Sequence, residues 1–189
     1  MSAYIRRRTE GARYFFTIRL ADRTGDLLVS RVKDLRAAVR ATQARHPFSI
    51  DAICVLPAVI HTIWSLPPGD DDYPNRVGMM KSRFSRQMPM PAHRTLTQIK
   101  RAEKGIWQRR YWEHEIRDAA DMKRHRDKIY LAPVYAGLCA HPQNWPHSSL
   151  HRDLRQGVGA PDPIGHGVES LHLTDTLPLP DQDRYMPSG

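Results

Sequence analysis

The chain is predicted to fold as an α+β domain, an antiparallel sheet flanked by helices, and three observations lead there. Short runs rich in β-branched and aromatic residues alternate with stretches of helical periodicity. Their order is strand, helix, two strands, helix, strand, helix, which is compatible with a ferredoxin-like arrangement. The 189 residues, 40% of them hydrophobic, are enough for one domain with a sizeable core.

Tyr14 to Leu20 (YFFTIRL) reads as the first strand, and Asp22 to Asp26, around Gly25, turns the chain. From Arg31 to His46 the positions Val32, Leu35, Ala38, Val39 and Thr42 recur at helical spacing, and Pro47 ends that helix. Ile50 to Leu56 and Val59 to Leu66 are two apolar runs divided at Pro57-Ala58, predicted to pair as a hairpin. A further helix begins at Asp72 or Tyr73, with Pro74 in its first turn, and runs to about Gln87.

Thr95 to Lys104 is read as a short helix, broken by Gly105, and Trp107 to His114 as a strand. Asp118 caps a helix expected to reach Leu131 and to stop at Pro133. Past Arg155 the composition shifts to Gly, Pro, Asp and His, so residues 1–155 are assigned to the domain and 156–189 to a flexible tail.

Charge gives the first functional direction. Lys and Arg number 29 against 20 Asp and Glu, a formal net charge of +9, with a pI near 9.9, and such an excess suits a polyanion. Many of these cations are arginine, whose planar fork pairs with phosphate oxygens. Cys54 and Cys139 form no metal or redox spacing, and no stretch reaches the apolar length of a membrane span, so a reducing cytoplasm at the nucleoid is the expected compartment.

Basic residues interleaved with aromatics mark the expected DNA-binding surface. Arg6, Arg7 and Arg8 form an arm before the first strand; Lys81, Arg83 and Arg86 accompany Phe84; Arg109 and Arg110 lie between Trp107 and Tyr111. The plainer reading of each cluster is a solvated charged face, and of the rings a core contact.

Five segments in order resemble the REP-associated tyrosine transposases, single-domain members of the HUH single-strand nuclease class, over about residues 4 to 155. They are Arg6 to Arg8 with Tyr14 to Thr17; Ile50 to Ala52 leading to Pro57 and His61 to Trp64; Lys81 to Ser85; Ile106 to His114; and Pro133-Val134 with Gly137-Leu138 and Trp145 to Ser149. The resemblance implies a helix-flanked antiparallel sheet that usually works as a dimer, and DNA, single-stranded or hairpin, as partner. It also implies a chemistry: a His-x-His pair on a strand holds a divalent metal, Mg or Mn, and a tyrosine from a later helix attacks a phosphate to form a phosphotyrosine. A polar residue one turn after the tyrosine completes the metal shell.

This chain departs from that pattern at three of four positions. The His-x-His pair falls on Val59 and His61, the tyrosine on Lys128, and the polar helper on Ala132. Tyr130 is two residues away, about 200° around a helix. The expectation is therefore a DNA-binding protein with cleavage and transposition reduced or lost, needing no metal in that case. Two alternatives are an active transposase using Tyr130 with a metal at His61, and a purely regulatory DNA-binding module. Read by themselves, His61 is an ordinary core or cleft histidine and Tyr130 a packing residue, while Asp51, Glu113 and His114 offer substitute ligand atoms.

Overall fold

The computed structural model describes residues 9–91 and 94–161; Arg6, Arg7 and Arg8, and residues 162–189 of the expected tail, lie outside the described residues. Strands β1 (Arg13–Arg19), β2 (Ser49–Val55), β3 (Val59–Ser65) and β4 (Trp112–Glu115) form one antiparallel sheet in the order β2-β3-β1-β4. Helices α1 (Leu27–Ser30), α2 (Val32–Arg45), α3 (Tyr73–Gln87), α4 (Leu96–Lys100), α5 (Ala119–Tyr135) and α6 (Leu150–Arg155) complete the elements. The predicted α+β class holds, with the ferredoxin-like strand order.

Strand β1 is central, so it is buried on both faces and carries apolar residues at consecutive positions instead of alternating ones. Tyr14, Phe16 and Ile18 join Ile60 and Trp64 on the face packed by α2 and α3, against Leu35, Val39, Val77, Met80 and Phe84. Phe15 turns to the other face, where Ala52, Cys54 and Ile63 meet Ile129, Tyr130 and Ala132 of α5 and Leu150 of α6. The sheet is thus sandwiched, and α5 lies over the face that the functional positions share.

A buried arginine ties the α3 start to the rest. The Asp72 carboxylate accepts from the Asn75 N–H, and Arg76, 1% exposed, donates two bonds to Asp70 and one each to the Pro47 and Asp72 carbonyls. Every guanidinium bond is charge-assisted, which is what makes burial of the cation tolerable.

Three expectations are corrected. The strand predicted over Trp107 to His114 begins only at Trp112. Trp107 makes an isolated bridge to Leu20, and its indole donates to the Lys81 carbonyl, so α3 draws this segment off the sheet. The helix expected to stop at Pro133 continues through it to Tyr135. Proline forfeits one backbone bond there, and the Ala136 N–H to Ala132 carbonyl bond resumes the ladder before Gly137, at φ 68°, closes it. The helix expected over Thr95 to Lys104 is limited to Leu96–Lys100 by Ala102 at φ 54° and Gly105 at φ 74°. Its Thr95 and Gln98 form a capping box. Helix α6 was not foreseen, because its six residues carry no apolar period.

Candidate nucleic-acid interface and nuclease cleft

The strand register aligns the sequence-predicted site residues into rows across one sheet face. His61 pairs with Thr17, and Thr17 with Trp112; in the next row Ile63 pairs with Phe15, and Phe15 with His114. Val59 pairs with Arg19 one row further along. Because strand side chains alternate with period two, all of these share the face under α5.

Helix α5 presents Asp121, His125, Lys128 and Ala132 to that face, at intervals of four, three and four residues. The Lys128 ammonium is 5.7 Å from the centroid of Phe15 and 5.9 Å from that of Trp112. His125 stacks on Phe15 at 4.9 Å and on His114 at 4.5 Å, and Phe15 stacks on His61 at 6.0 Å. His61, His114 and Lys128 are therefore gathered around one phenyl ring, with Val59 at the end of the same face.

Each position then shows what it can do. His61 is 4% exposed, and its Nδ1 lies 3.0 Å from Thr17 Oγ1. Burial, followed by the positive charges of Arg19 and Lys128, lowers its pKa to about 3, so the ring is neutral at physiological pH. Val59 offers a branched alkyl group and Ala132 a methyl, neither with a lone pair. A divalent cation placed there would meet one imidazole and two cations, and this donor set does not fit a metal.

Tyr130 projects away from the cleft. It is 1% exposed, and its hydroxyl is hydrogen-bonded to Asp153 and to Ser149. Burial and then the Asp153 carboxylate raise its pKa, which opposes formation of a phenolate. The placement matches a packing tyrosine that anchors α6 to α5.

Of the substitute ligands, His114 reaches a cluster and the other two do not. Glu113 pairs with Phe16 and so belongs to the opposite face, and Asp51 accepts from Ser65 Oγ at 2.6 Å, in the row beyond Ile63 and away from Val59. His114 Nε2 lies 2.8 Å from Asp121 Oδ2, and His125 Nδ1 lies 3.1 Å from Asp121 Oδ1. These three residues form the group among the described residues that could hold a metal ion, their ligand atoms lying within 4.8 Å of one another.

Asp121 also accepts from the Arg117 N–H at 3.1 Å and from Arg124 at 2.9 Å. Burial would raise its pKa, but the His114 hydrogen bond, the Arg117 N–H and the neighbouring imidazoles outweigh it, and the carboxyl sits well below the ordinary range. Asp121 and His125 had no role in the sequence reading. The signal was present as Asp-x-x-x-His, a one-turn spacing, but its partner His114 comes from a different element.

The expected DNA-binding residues divide by exposure. A groove of about 490 Å³ between α3 and residues 102–109 is lined by Lys81, Arg86, Lys104 and Arg109, with Glu103 as its acid. Lys81 donates to the Gln108 carbonyl at 2.9 Å and sits 5.2 Å from the Tyr111 ring centroid; Lys104 donates to the Ser85 and Met88 carbonyls. These two lysines hold the groove together. Arg86, Arg109 and Arg110 are exposed, and Arg83 is half-buried. Phe84, expected beside them as a stacking surface, is fully buried in the core, and Trp107 packs edge-on to it at 5.3 Å. The aromatic left open is Trp112, 39% exposed.

A second groove, of about 690 Å³, was not anticipated. Arg13, Arg117, Lys123 and Arg126 line it where the start of α5 meets the ends of β1 and β3, against Asp118.

A ferredoxin-like sheet whose histidine-bearing face is covered by a late helix, with basic grooves beside it, is the architecture of a transposase-type domain. No family model matches the chain. It is 37% identical to the REP-associated tyrosine transposase of Escherichia coli over 158 residues, 84% of this chain and 88% of that protein. A homologue from Haemophilus influenzae, described by the same family name, is 43% identical over 159 residues, 84% of this chain and 90% of that one. A solved REP-associated tyrosine transposase bound to a REP hairpin superposes with a TM-score of 0.74 at 37% identity, covering 88% of this chain and 93% of that one. The chain belongs to the REP-associated tyrosine transposase family.

Proposed function

We propose that this chain binds hairpin-forming repetitive DNA and that its strand-cleavage activity is reduced or lost. The observation that carries the binding half is the cationic groove between α3 and residues 102–109, whose outward charges are Arg86 and Arg109. Guanidinium groups on exposed side chains meet phosphate oxygens without first giving up internal bonds. The solved relative bound to a REP hairpin supports the same ligand. Arg110 continues the exposed cationic edge, and the Arg6 to Arg8 arm is read as following the phosphate backbone. The protein works as a homodimer on nucleoid DNA in the cytoplasm.

Loss of cleavage rests on Val59, Lys128 and Ala132, which supply neither a metal ligand nor a nucleophile. Any divalent ion is assigned to His114, Asp121 and His125, a mixed nitrogen and oxygen set that suits Mn better than Mg, which prefers oxygen and water. Those residues would hold the ion and draw α5 towards β4.

The test is binding of a labelled REP-type hairpin as a function of salt, followed by incubation with Mn and denaturing electrophoresis. Log affinity should fall linearly with log salt, and Arg86→Ala with Arg109→Ala should flatten that slope by about 0.7 to 0.9 per lost phosphate contact. Failure to bind any DNA would refute the binding half. A denaturant-resistant protein–DNA adduct, lost in Tyr130→Phe, would refute the loss of cleavage.

A further inference from the structure

The cleft beneath α5 is polarised for an anion. Its two closest charges to the buried, neutral His61 are Arg19 and Lys128, both positive, and both disfavour a proton on that ring. Lys128 is fixed in place by the faces of Phe15 and Trp112, so its ammonium stays at the cleft without needing a carboxylate partner to orient it. Beside it the Trp112 indole is exposed at the sheet edge. It is braced by Phe15 edge-on at 5.5 Å and by His114 in a parallel plane, 3° apart, at 5.8 Å. A braced, open aromatic plane next to a fixed cation is the chemistry that recognises an unpaired nucleotide, base on the ring and phosphate on the charge.

We propose that Lys128 and Trp112 form a nucleotide subsite for single-stranded DNA, the phosphate meeting the Lys128 ammonium and the adjoining base stacking on Trp112, with no divalent ion between protein and phosphate. This rests on the DNA-binding reading above and adds to it the position and chemistry of the unpaired segment. The cation that substitutes for a metal here is supplied by the chain itself, at the position where Lys128 stands in the register of the family's nucleophile. Catalysis is absent from the proposal: the subsite holds a strand and breaks no bond.

The experiment is tryptophan fluorescence titration of the full chain with a short unstructured deoxyoligonucleotide, in EDTA and again in Mn. Trp64 is buried, while Trp107 and Trp145 are half-buried with their indole N–H groups bonded to carbonyls, so a quench by stacked bases reports on Trp112. Wild type should be quenched to the same degree in both buffers. Trp112→Phe should lose most of the quench while keeping the contact with Phe15, and Trp112→Ala should weaken binding by roughly tenfold or more. Lys128→Gln should lower the salt slope by about 0.7.

Quenching undiminished in Trp112→Phe, an unchanged salt slope in Lys128→Gln, or binding that disappears in EDTA would each overturn the proposal. Hairpin binding that survives all three substitutions would overturn this subsite while leaving the groove of Arg86 and Arg109 standing. If wild type binds neither oligonucleotide nor hairpin, both readings fall.

Discussion

His61 Nδ1 and Thr17 Oγ1 lie 3.0 Å apart across the β1–β3 ladder, joining a buried imidazole to a buried hydroxyl. The pair makes the histidine a neutral, satisfied part of the sheet. It also sets an acid limit on the fold. The folded pKa of about 3 is below the ordinary value of 6.5, so between those values the unfolded chain binds the extra proton. The stabilisation is complete above pH 6.5 and is lost as pH falls towards 3, at up to roughly 1.4 kcal/mol per pH unit. Denaturant melts at stepped pH should show this slope, and His61→Gln should flatten it. An equal slope in the variant would place the acid sensitivity elsewhere.

Asp121 is predicted to be a stability centre whether or not an ion binds beside it. It is 3% exposed and accepts from His114, Arg124 and the Arg117 N–H. Asp121→Ala leaves two imidazoles and a backbone donor without that acceptor, at a cost of about 2–4 kcal/mol. Chemical denaturation checks the value, and a change under 0.5 kcal/mol, the usual range for surface sites, would contradict the role.

Arg76 should be less replaceable than any exposed arginine. Arg76→Met removes four bonds that join Asp70, Asp72 and the Pro47 carbonyl, and is expected to cost about 3 kcal/mol. Arg110→Met, at an exposed position, should stay within about 0.5 kcal/mol. Paired melts of the two variants decide the matter.

The two cysteines should react at very different rates. Burial, with a smaller contribution from Cys139, pushes the Cys54 thiol up to about 12, whereas Cys139 is only partly covered. One thiol per chain should label promptly with a disulfide reagent at neutral pH, and Cys139→Ser should abolish that fast phase. Two fast equivalents would mean that the face holding Cys54 opens readily.

What the sequence by itself determined was everything governed by local periodicity and by residue type. The aromatic and β-branched run at residues 14 to 20 could only be a buried strand, and the three- and four-residue spacing from Val32 to Thr42 only a helix, because burial of those side chains needs those periods. The substitutions at Val59, Lys128 and Ala132 were legible too, since a missing lone pair or hydroxyl is a property of the residue alone.

Tertiary structure decided what lies between elements. Trp107 left the expected strand because α3 holds its indole, and α5 ran through Pro133 because one lost bond is small beside the packing of Ile129, Tyr130 and Ala132 against the sheet. Phe84 proved to be core and Trp112 open, a difference that composition does not carry, since exposure depends on which neighbours arrive. The His114, Asp121 and His125 cluster and the cations around His61 arise from a strand register and a helix laid across it. Electrostatics at those places depends on distances between residues far apart in the chain, and those distances exist only once the chain has folded.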